Sequence, residues 1–251
     1  MDKVKLKKYV KIRSLKCPNC GHIHESLVLT DGIHLKCSKC HFKARPEEYE
    51  IVERKVLAFL CLNCREYVPN IWENRNLIGV FNEILCPKCL SVVGINGKHI
   101  VEHERITEQD LAKCEMLDTN LYVFEAKTRR QKILVRILNV KAQKEPISSF
   151  RTVPRLRDHS SQYVLVTRNK PVGYLSFIPK WKMDKPLMNQ LYVIPEVRRR
   201  GYATKLVQYF IDKNVDKTSD FWFIVESPNE KSYNLFKKMG IAGKIRCVNL
   251  G

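Results

Sequence analysis

The sequence contains no apolar stretch that approaches the roughly 20 residues of a membrane-spanning helix. Its first residues also lack the apolar segment of a secretory signal, because Met1 is followed by Asp-Lys-Val-Lys-Leu-Lys-Lys. Acidic residues are few beside basic ones: 26 Asp and Glu face 45 Lys and Arg, which gives a formal net charge of +19. We therefore expect a soluble, cytoplasmic protein without a membrane partner, whose substrate or partner is anionic.

Cysteines are numerous by comparison, and their spacing is regular. Eight of the ten lie in four Cys-x-x-Cys pairs, which are Cys17 and Cys20, Cys37 and Cys40, Cys61 and Cys64, and Cys86 and Cys89. Residues 21–36 separate the first two pairs and residues 65–85 the last two, which is close to the spacing of four-thiolate zinc sites. Because a reducing compartment disfavours disulfides, we predict two structural Zn²⁺ ions bound by these thiolates.

Each predicted metal site lies in a segment that is too small to bury a core of its own. Metal binding must therefore supply part of the folding free energy. We predict two tandem zinc ribbons built from short β-hairpins, at residues 1–56 and 57–104. The residues between the second and third pairs, 41–60, also permit an interleaved arrangement in which the first and third pairs share one metal.

An arginine-rich turn lies where an apolar strand pattern gives way to a helical one. Residues 193–204 read Val-Ile-Pro-Glu-Val-Arg-Arg-Arg-Gly-Tyr-Ala-Thr. The backbone N–H groups at the start of a helix, the helix dipole and the cluster of arginines all favour an anion at this point. Gly201 lets the backbone approach that anion closely. The segment therefore predicts a phosphate-binding site.

Strand and helix patterns surround this turn. The predicted strands are residues 163–167, 172–177, 187–194 and 221–225, and the helix after the turn is residues 203–214. A second helix ends at Gly240, where a left-handed residue fits. For the start of that helix the sequence favours Ser227 as N-cap, with Pro228 in the first turn and Glu230 completing a capping box.

This order of elements, with Arg198-x-x-Gly201-x-Ala203 at the strand-to-helix junction, resembles the GNAT superfamily of N-acetyltransferases. The family's last motif, Asn-x-x-small-x-x-x-Tyr-x-x-x-Gly-Phe, is matched in part by Asn229, Ser232, Phe236, Gly240 and Ile241. The resemblance covers residues 149–251 and implies an α+β fold, in which a mixed twisted sheet with flanking helices follows the small zinc-ribbon hairpins. It also implies acetyl-CoA as the donor of an acetyl group that passes directly to an amine.

The resemblance assigns a part of acetyl-CoA to each segment of the turn. Backbone groups of Leu191 and Val193 would bind the pantetheine arm and the thioester carbonyl, and the amides after Arg198 would bind the pyrophosphate. Asn229 would bind the pantetheine from the last helix. The implied cofactor-binding residues are Leu191, Val193, Arg198, Arg199, Arg200, Gly201, Tyr202, Ala203, Thr204, Asn229 and Phe236.

Two departures from the family pattern concern the proton chemistry. Phe236 stands where the family commonly has a tyrosine that protonates the leaving thiolate, and Tyr233, one turn earlier, is the alternative acid. The strand before the turn, residues 188–193, has no carboxylate to act as a general base, and Glu226 is the alternative base. A neutral amine, such as an exocyclic nucleobase amine, would need no deprotonation before attack.

Basic residues are concentrated ahead of the catalytic motifs. Residues 127–157 carry ten Lys and Arg and a single acid, Glu145. Residues 105–148 are predicted to form a basic connecting region that begins with a short helix at 107–117 and includes, as one alternative, the start of the catalytic domain. We predict phosphate contacts from Arg129, Arg130, Lys132, Arg136, Arg151, Arg155 and Arg157.

Three functions fit these patterns. The favoured one is an acetyl-CoA-dependent N-acetyltransferase whose ribbons and basic region dock RNA or a ribonucleoprotein. The second is a protein N-acetyltransferase that uses the ribbons for protein recognition, and an acidic protein partner is the alternative explanation of the basic region. The third is a noncatalytic protein that binds CoA or nucleic acid.

Overall fold

The computed structural model describes residues 5–24, 33–71, 74–76, 81–107, 110, 114–143, 145 and 160–248. The chain divides into two units, Met1–Glu102 and His103–Gly251. Within the described residues, none of the helices has both the length and the apolar character that crossing a membrane requires.

Short antiparallel strands form the N-terminal unit. They pair in three sheets, with the orders β1-β4-β5, β2-β3 and β6-β7-β8-β9. The strands are β1 (Lys7–Lys16), β2 (Leu35–Lys36), β3 (Lys43–Ala44), β4 (Glu50–Leu60), β5 (Tyr67–Pro69), β6 (Arg75–Asn76), β7 (Glu83–Leu85), β8 (Val92–Ile95) and β9 (Lys98–His99).

The β1–β4 ladder is the longest pairing in this unit. It runs from Lys7 opposite Phe59 to Lys16 opposite Glu50. Because β4 runs across the boundary predicted at residues 56 and 57, the two Cys-rich segments share this ladder.

Two small buried clusters accompany the cysteines. One contains Leu35, Ala44 and Tyr49 with Cys17 and Cys37. The other contains the side chains of Phe59, Val68, Ile84 and Val93 together with Cys61 and Cys86. Each cluster is therefore built directly around cysteine side chains.

A seven-stranded sheet of order β10-β11-β12-β13-β14-β15-β16 forms the C-terminal unit. Its neighbours pair antiparallel except β14 with β15 and β15 with β16, which are parallel. The strands are β10 (Glu115–Asp118), β11 (Leu121–Glu125), β12 (Ser161–Thr167), β13 (Lys170–Ile178), β14 (Leu187–Val193), β15 (Phe223–Glu226) and β16 (Ile245–Val248). The α-helices that the structure describes in full are α1 (Arg129–Gln143), α2 (Tyr202–Asn214) and α3 (Glu230–Lys238).

Helices cover both faces of this sheet. On one face, Leu134, Val135 and Leu138 of α1 pack against the buried rings of Tyr174 and Tyr192. On the other face, residues of α2 and α3 pack with the sheet in one apolar core. Aromatic contacts connect that core from β13 to α3, in the order Phe177, Phe210, Phe223 and Phe236. The sheet is thus the middle layer of three.

Several predicted elements are present. The four strands around the turn and the helix after it are found within two residues of the predicted ends, and Gly240 has the left-handed φ of 71°. Leu121–Glu125, within the predicted connecting region, is the second strand of the catalytic sheet, so that region includes the start of the catalytic domain. One strand, Ile245–Val248, follows the last helix and lies parallel to β15.

Two local predictions were wrong. The N-cap of α3 is Asn229, not Ser227, and Asn229 Oδ1 accepts from Ser232 N at 2.9 Å. Ser227 has a φ of 40°, which an N-cap residue does not adopt. The helix predicted at 107–117 does not extend over its last residues, because Glu115 and Met116 pair with β11. The capping contact at its start is present, with Thr107 N donating to Asp110 Oδ2 at 2.9 Å.

Candidate functional site

The eight paired cysteines converge in two groups of four. Cys17, Cys20, Cys37 and Cys40 form one group and Cys61, Cys64, Cys86 and Cys89 the other, with the Sγ atoms of each group within 4.8 Å of one another. The Sγ atoms of Cys17 and Cys40 are 3.7 Å apart, and those of Cys61 and Cys89 are 3.5 Å apart. This geometry confirms sequential pairing of the knuckles and excludes the interleaved alternative.

All four Cys-x-x-Cys knuckles have the same backbone. Each begins directly after a strand, and the residue after its second cysteine has a left-handed φ: Gly21 (69°), His41 (60°), Arg65 (64°) and Leu90 (55°). The amide of that residue donates to the carbonyl of the first cysteine, as Arg65 N does to Cys61 O at 2.9 Å. The tight turn holds two sulfurs on one side of the chain.

Polar neighbours favour the ionised form of one thiol in each group. Hydrogen bonding with Asn19 lowers the pKa of Cys40 to about 6, and hydrogen bonding with Ser91 lowers the pKa of Cys89 to about 5. The thiolate is the form of cysteine that binds a metal.

These groups fit Zn²⁺. With Zn–S bonds of about 2.3 Å, the edge of a tetrahedron of sulfurs is about 3.8 Å, close to the observed spacings. Four thiolates would fill the coordination sphere of each ion.

The turn after β14 forms a cradle of unpaired amides. Among the described residues, the backbone N–H groups from Arg199 to Thr204 have no hydrogen-bond acceptor, whereas those on either side, of Arg198 and Lys205, donate to Pro195 O and Gly201 O. Arg199 and Gly201 have φ angles of 66° and 78°, which turn successive amides outward at the N-terminus of α2. Such an arrangement is a nest for an anion.

The edge of β14 beside the cradle is open. Its parallel pairing with β15 comprises only Leu187 with Ile224 and Met188 with Val225. Ile194 N donates to Val172 O on β13 at 2.9 Å. Along an antiparallel pair, the backbone N–H and C=O groups of successive residues point alternately toward and away from the partner strand. The backbone groups of Leu191 and Val193 therefore point away from β13, toward the gap between β14 and β15.

Residues 131–241 match the model of the family described as acetyltransferase (GNAT) family. The C-terminal unit contains a GNAT acetyltransferase domain. The GNAT fold supports acetyl transfer from acetyl-CoA, and by this assignment the chain is an N-acetyltransferase. The four-cysteine groups that precede the GNAT domain fit zinc-ribbon-like modules.

Solved structures similar to the GNAT domain come from acetyltransferases of several kinds. They include the xEco2 acetyltransferase domain bound to a K105-CoA conjugate, with 11% identity over 55% of this chain and 99% of that chain and a TM-score of 0.43. Another is a ribosomal-protein-alanine N-acetyltransferase from Brucella melitensis biovar Abortus 2308, with 14% identity, 47% and 90% coverage and a TM-score of 0.37. A third is the aminoglycoside acetyltransferase meta-AAC0020 from an uncultured soil metagenomic sample, with 18% identity, 50% and 90% coverage and a TM-score of 0.34. No curated protein sequence matches this chain.

The side chain of Arg198, which was predicted to bind acetyl-CoA, is occupied by contacts within the GNAT domain. Its Nε donates to Val193 O at 2.8 Å, and its Nη2 lies 2.6 Å from Glu145 Oε1. Tyr192 also donates to Glu145 Oε1, at 2.8 Å. The pKa of Tyr192 is raised mainly by burial and, to a smaller extent, by this carboxylate. Arg198 and Glu145 therefore connect the start of the cradle to the end of α1.

Other predicted cofactor residues have different surroundings from those expected. The ring of Phe236 is fully buried against Phe223, so it does not line an accessible cofactor surface. Asn229 uses its Oδ1 to cap its own helix. Tyr202 and Ala203 are partly exposed at the first turn of α2, and Thr204, Arg199 and Arg200 are exposed.

The two predicted catalytic residues have different positions relative to the gap. Glu226 is half-buried and directly follows Val225, where the pairing of β14 with β15 ends. Because Phe223 and Val225 pack toward α2 and α3, alternation along β15 directs Glu226 to the α1 side of the sheet. Tyr233 is exposed on α3, where Lys237 Nζ lies 5.0 Å from its ring centroid.

The predicted nucleic-acid residues are not one exposed basic face. Arg136 is 8% exposed and its Nη1 donates to Asn139 Oδ1 at 3.1 Å, so the prediction that it contacts phosphate does not fit its burial. Arg129 is exposed and Lys132 is partly exposed, while Arg130 forms an ion pair with Asp110. Arg151, Arg155 and Arg157 lie outside the described residues.

Four polar residues that meet on the α1 side of the sheet were not identified from the sequence. Asn139 Nδ2 donates to Tyr174 Oη at 2.9 Å, and Tyr174 donates to Gln190 Oε1 at 2.7 Å. Glu145 is the fourth. These residues lie on three different elements, and no local motif in the sequence indicates that they meet.

Proposed function

We propose that the protein transfers the acetyl group of acetyl-CoA directly to an amine presented by RNA or a ribonucleoprotein that its N-terminal unit docks. The observation that carries the donor assignment is the row of unpaired amides from Arg199 to Thr204 at the start of α2. The pyrophosphate of acetyl-CoA would accept from these amides. The open backbone of Leu191 and the N–H of Val193 suit the pantetheine arm, which would add to β14 like a short strand, whereas Val193 O already accepts from Arg198 Nε.

Transfer requires the amine nitrogen to bond to the thioester carbonyl carbon as the C–S bond breaks. Val193 N–H is the donor that we assign to the carbonyl oxygen, because it points into the gap. We assign Glu226 as the acceptor of the amine proton, because it lies at the base of that gap. The thiol product has an ordinary pKa of about 8.5, so the thiolate can leave near neutral pH, with Tyr233 or water returning its proton.

We assign one Zn²⁺ to each four-cysteine group. Four thiolates leave no open coordination position, so the ions would stabilise the fold without taking part in the transfer.

One face of the β1–β4 ladder suits RNA. Its exposed residues are Tyr9, Lys11, Arg13, Ile51, Glu53 and Lys55, three cations and one acid, and we call this surface the basic ribbon face. Lys11 lies directly opposite Lys55, and like charges in such a pair are unfavourable without a counterion. Tyr9 is 71% exposed, so its ring is available for stacking on a base beside phosphates bound by the cations.

This face is a better docking surface than α1. Lys127, Arg130 and Lys141, on or beside α1, form ion pairs with Glu125, Asp110 and Glu104. On the ribbon face, the pair of Lys11 with Glu53 is 3.4 Å long, and both side chains are more than 60% exposed, so an RNA phosphate can compete with it.

The experiment is to incubate zinc-loaded protein with labelled acetyl-CoA and cell extract, with and without ribonuclease pretreatment. Label in RNA, or in protein only when RNA is intact, is the expected result. Label in protein that ribonuclease leaves unchanged would favour a protein N-acetyltransferase and overturn the RNA assignment. Tight acetyl-CoA binding without label in either fraction would overturn transfer itself.

A further inference from the structure

The paired part of β14 contains one extra residue. Met188 lies opposite Phe177 and Gln190 opposite Ser176, so Asn189 has no partner of its own on β13. Met188 and Leu191 both pack on the core beneath α2 and α3, although strict alternation would place residues three apart on opposite faces. The bulge thus directs Asn189 and Gln190 together to the α1 side of the sheet.

A chain of hydrogen bonds from α1 fixes the orientation of the Gln190 side chain. The guanidinium of Arg136 has donors only, so the atom of Asn139 that it meets at 3.1 Å must be the carboxamide oxygen. The Asn139 amide nitrogen then faces Tyr174 at 2.9 Å. Having accepted that bond, the Tyr174 hydroxyl donates its own proton over 2.7 Å, which requires the oxygen of Gln190. The Gln190 Nε2 group is left to point elsewhere.

This chain is protected from water at all but its last member. Arg136, Asn139 and Tyr174 are 8%, 4% and 0% exposed, whereas Gln190 is partly exposed in the segment of β14 that β15 does not cover. Because Arg136 has donors only, the chain cannot reverse its direction. The Gln190 N–H₂ is therefore a fixed donor at the edge of the gap.

Asn189 supplies the complementary group. Its Oδ1 is buried and meets no hydrogen-bond donor among the described residues. A buried acceptor without a partner is unfavourable, which a donor from a bound molecule would relieve.

We propose that Asn189 and Gln190 form the acceptor subsite, and that it selects a neutral amine whose carbon also bears an acceptor atom, as at the amino edge of cytosine or adenine. The amine N–H would donate to Asn189 Oδ1, and Gln190 Nε2 would donate to the adjacent ring nitrogen. An alkylammonium, such as that of lysine, offers no such acceptor to Gln190. The assignment rests on the proposed acetyl transfer and names its substrate class.

The test compares acceptors and then variants. Zinc-loaded protein and acetyl-CoA are given oligo(C), oligo(A), oligo(U) or a lysine peptide, and kcat/KM is measured for each. We expect acetylation of oligo(C) or oligo(A), with oligo(U) inert because uracil has no amino group. Acetylation of the lysine peptide alone would overturn the subsite while leaving acetyl transfer intact, and no acetylation of any acceptor would overturn the proposed function itself.

Two variants test the orientation of Gln190. Gln190→Glu puts a carboxylate oxygen where the N–H donor stands, and we expect at least a 100-fold loss of kcat/KM for the nucleobase with a much smaller loss for the lysine peptide. Tyr174→Phe removes the shorter of two hydrogen bonds to Gln190 Oε1 and leaves the 3.3 Å bond from Asn139 Nδ2, so the Gln190 side chain is held less firmly. We expect about a tenfold loss for the nucleobase with the KM of acetyl-CoA unchanged.

The matched control is Tyr163→Phe. Tyr163 is also buried and its hydroxyl accepts from Asn214 at 2.9 Å, but it lies in the core on the other face of the sheet. The control should leave the ratio of nucleobase to lysine activity unchanged. Equal effects of the Tyr174 and Tyr163 variants on that ratio would overturn the orienting role.

Discussion

In the N-terminal unit the buried clusters are small and contain the metal-binding cysteines, whereas in the C-terminal unit helices cover both faces of one sheet. Among the described residues, the buried members of one N-terminal cluster are Leu35, Ala44 and Tyr49 besides Cys17 and Cys37, with Leu15 and Phe42 packed against them. Clusters of this size bury too little apolar surface to offset the conformational entropy of the ordered chain. The N-terminal unit therefore depends on metal binding for its stability, whereas the C-terminal unit depends on the apolar packing of helices against its sheet.

Removing the metal should produce the largest difference in stability between the two units. A strong chelator is expected to unfold the N-terminal unit, because thiolate–zinc binding supplies about 10–16 kcal/mol in small zinc domains. The GNAT domain should keep its amide protection, as measured by hydrogen exchange. Cys61→Ser should act like the chelator, and Cys247→Ser, which changes an exposed cysteine outside both groups, should not. Simultaneous unfolding of both units would contradict the comparison.

A substitution in the cradle should instead weaken acetyl-CoA binding and leave the metal sites of the N-terminal unit unaffected. Gly201→Glu places a carboxylate among the anion-binding amides at a φ of 78°, and we expect acetyl-CoA affinity to fall at least 100-fold, or about 2.7 kcal/mol, with zinc content unchanged. Calorimetry and metal analysis measure the two effects. Gly243→Glu is the control, because that glycine also has open space around it but no left-handed φ. Unchanged acetyl-CoA affinity in the Gly201 variant would show that the cradle binds something else.

A pair of glycine substitutions probes the packing of each unit. A Cβ on Gly173 would lie 2.7 Å from Tyr192 O, and one on Gly94 would lie 2.9 Å from Lys98 O. We expect Gly173→Ala to destabilise the GNAT domain and weaken acetyl-CoA binding by displacing β14, at a cost of about 1–3 kcal/mol. Gly94→Ala should instead weaken zinc retention. Thermal unfolding with and without chelator assigns each loss to its unit.

Charge reversal on the basic ribbon face tests whether docking belongs to the N-terminal unit. Lys11→Glu with Lys55→Glu should lower RNA affinity and reduce the slope of log affinity against log salt by about 1.4, since each phosphate contact contributes about 0.7 for a single strand. Acetyl-CoA binding should stay the same. Lys98→Glu, an exposed lysine of the same unit, is the control. An unaltered salt slope would place the RNA contacts elsewhere.

The smallest effect is expected at the contact between α1 and the cradle. Glu145→Gln removes the ion pair with Arg198, whose side chain is 38% exposed, so we expect a loss of only about 0.2–1 kcal/mol in stability. Acetyl-CoA affinity should fall by a few-fold, because Arg198 also binds Val193 O. A loss above 100-fold would mean that Glu145 takes part in the chemistry.

Local patterns predicted the elements that local chemistry determines. The spacing of cysteines in each knuckle predicted both metal groups, and the arginine–glycine turn predicted the start of α2. Each Cys-x-x-Cys knuckle and the arginine–glycine turn is a short continuous segment, and its geometry depends on backbone conformations that the sequence itself favours.

Contacts between distant residues could not be predicted in this way. Arg198 and Glu145 are 53 residues apart, and no property of either residue alone indicates that they meet. Arg136 looks like part of a solvated basic face because its neighbours in the sequence are basic. Its burial follows from the packing of α1 on the sheet, where Asn139 satisfies one of its donors.

The β1–β4 ladder connects the two metal groups. Cys17 follows the last residue of β1 and Cys61 the last residue of β4, so the antiparallel strands place the groups at opposite ends of one ladder. The first ion to bind would order both strands, and the second would then meet an already ordered site and bind more tightly. Zinc uptake should therefore be cooperative, with a Hill coefficient above 1 and few half-loaded molecules at any metal concentration.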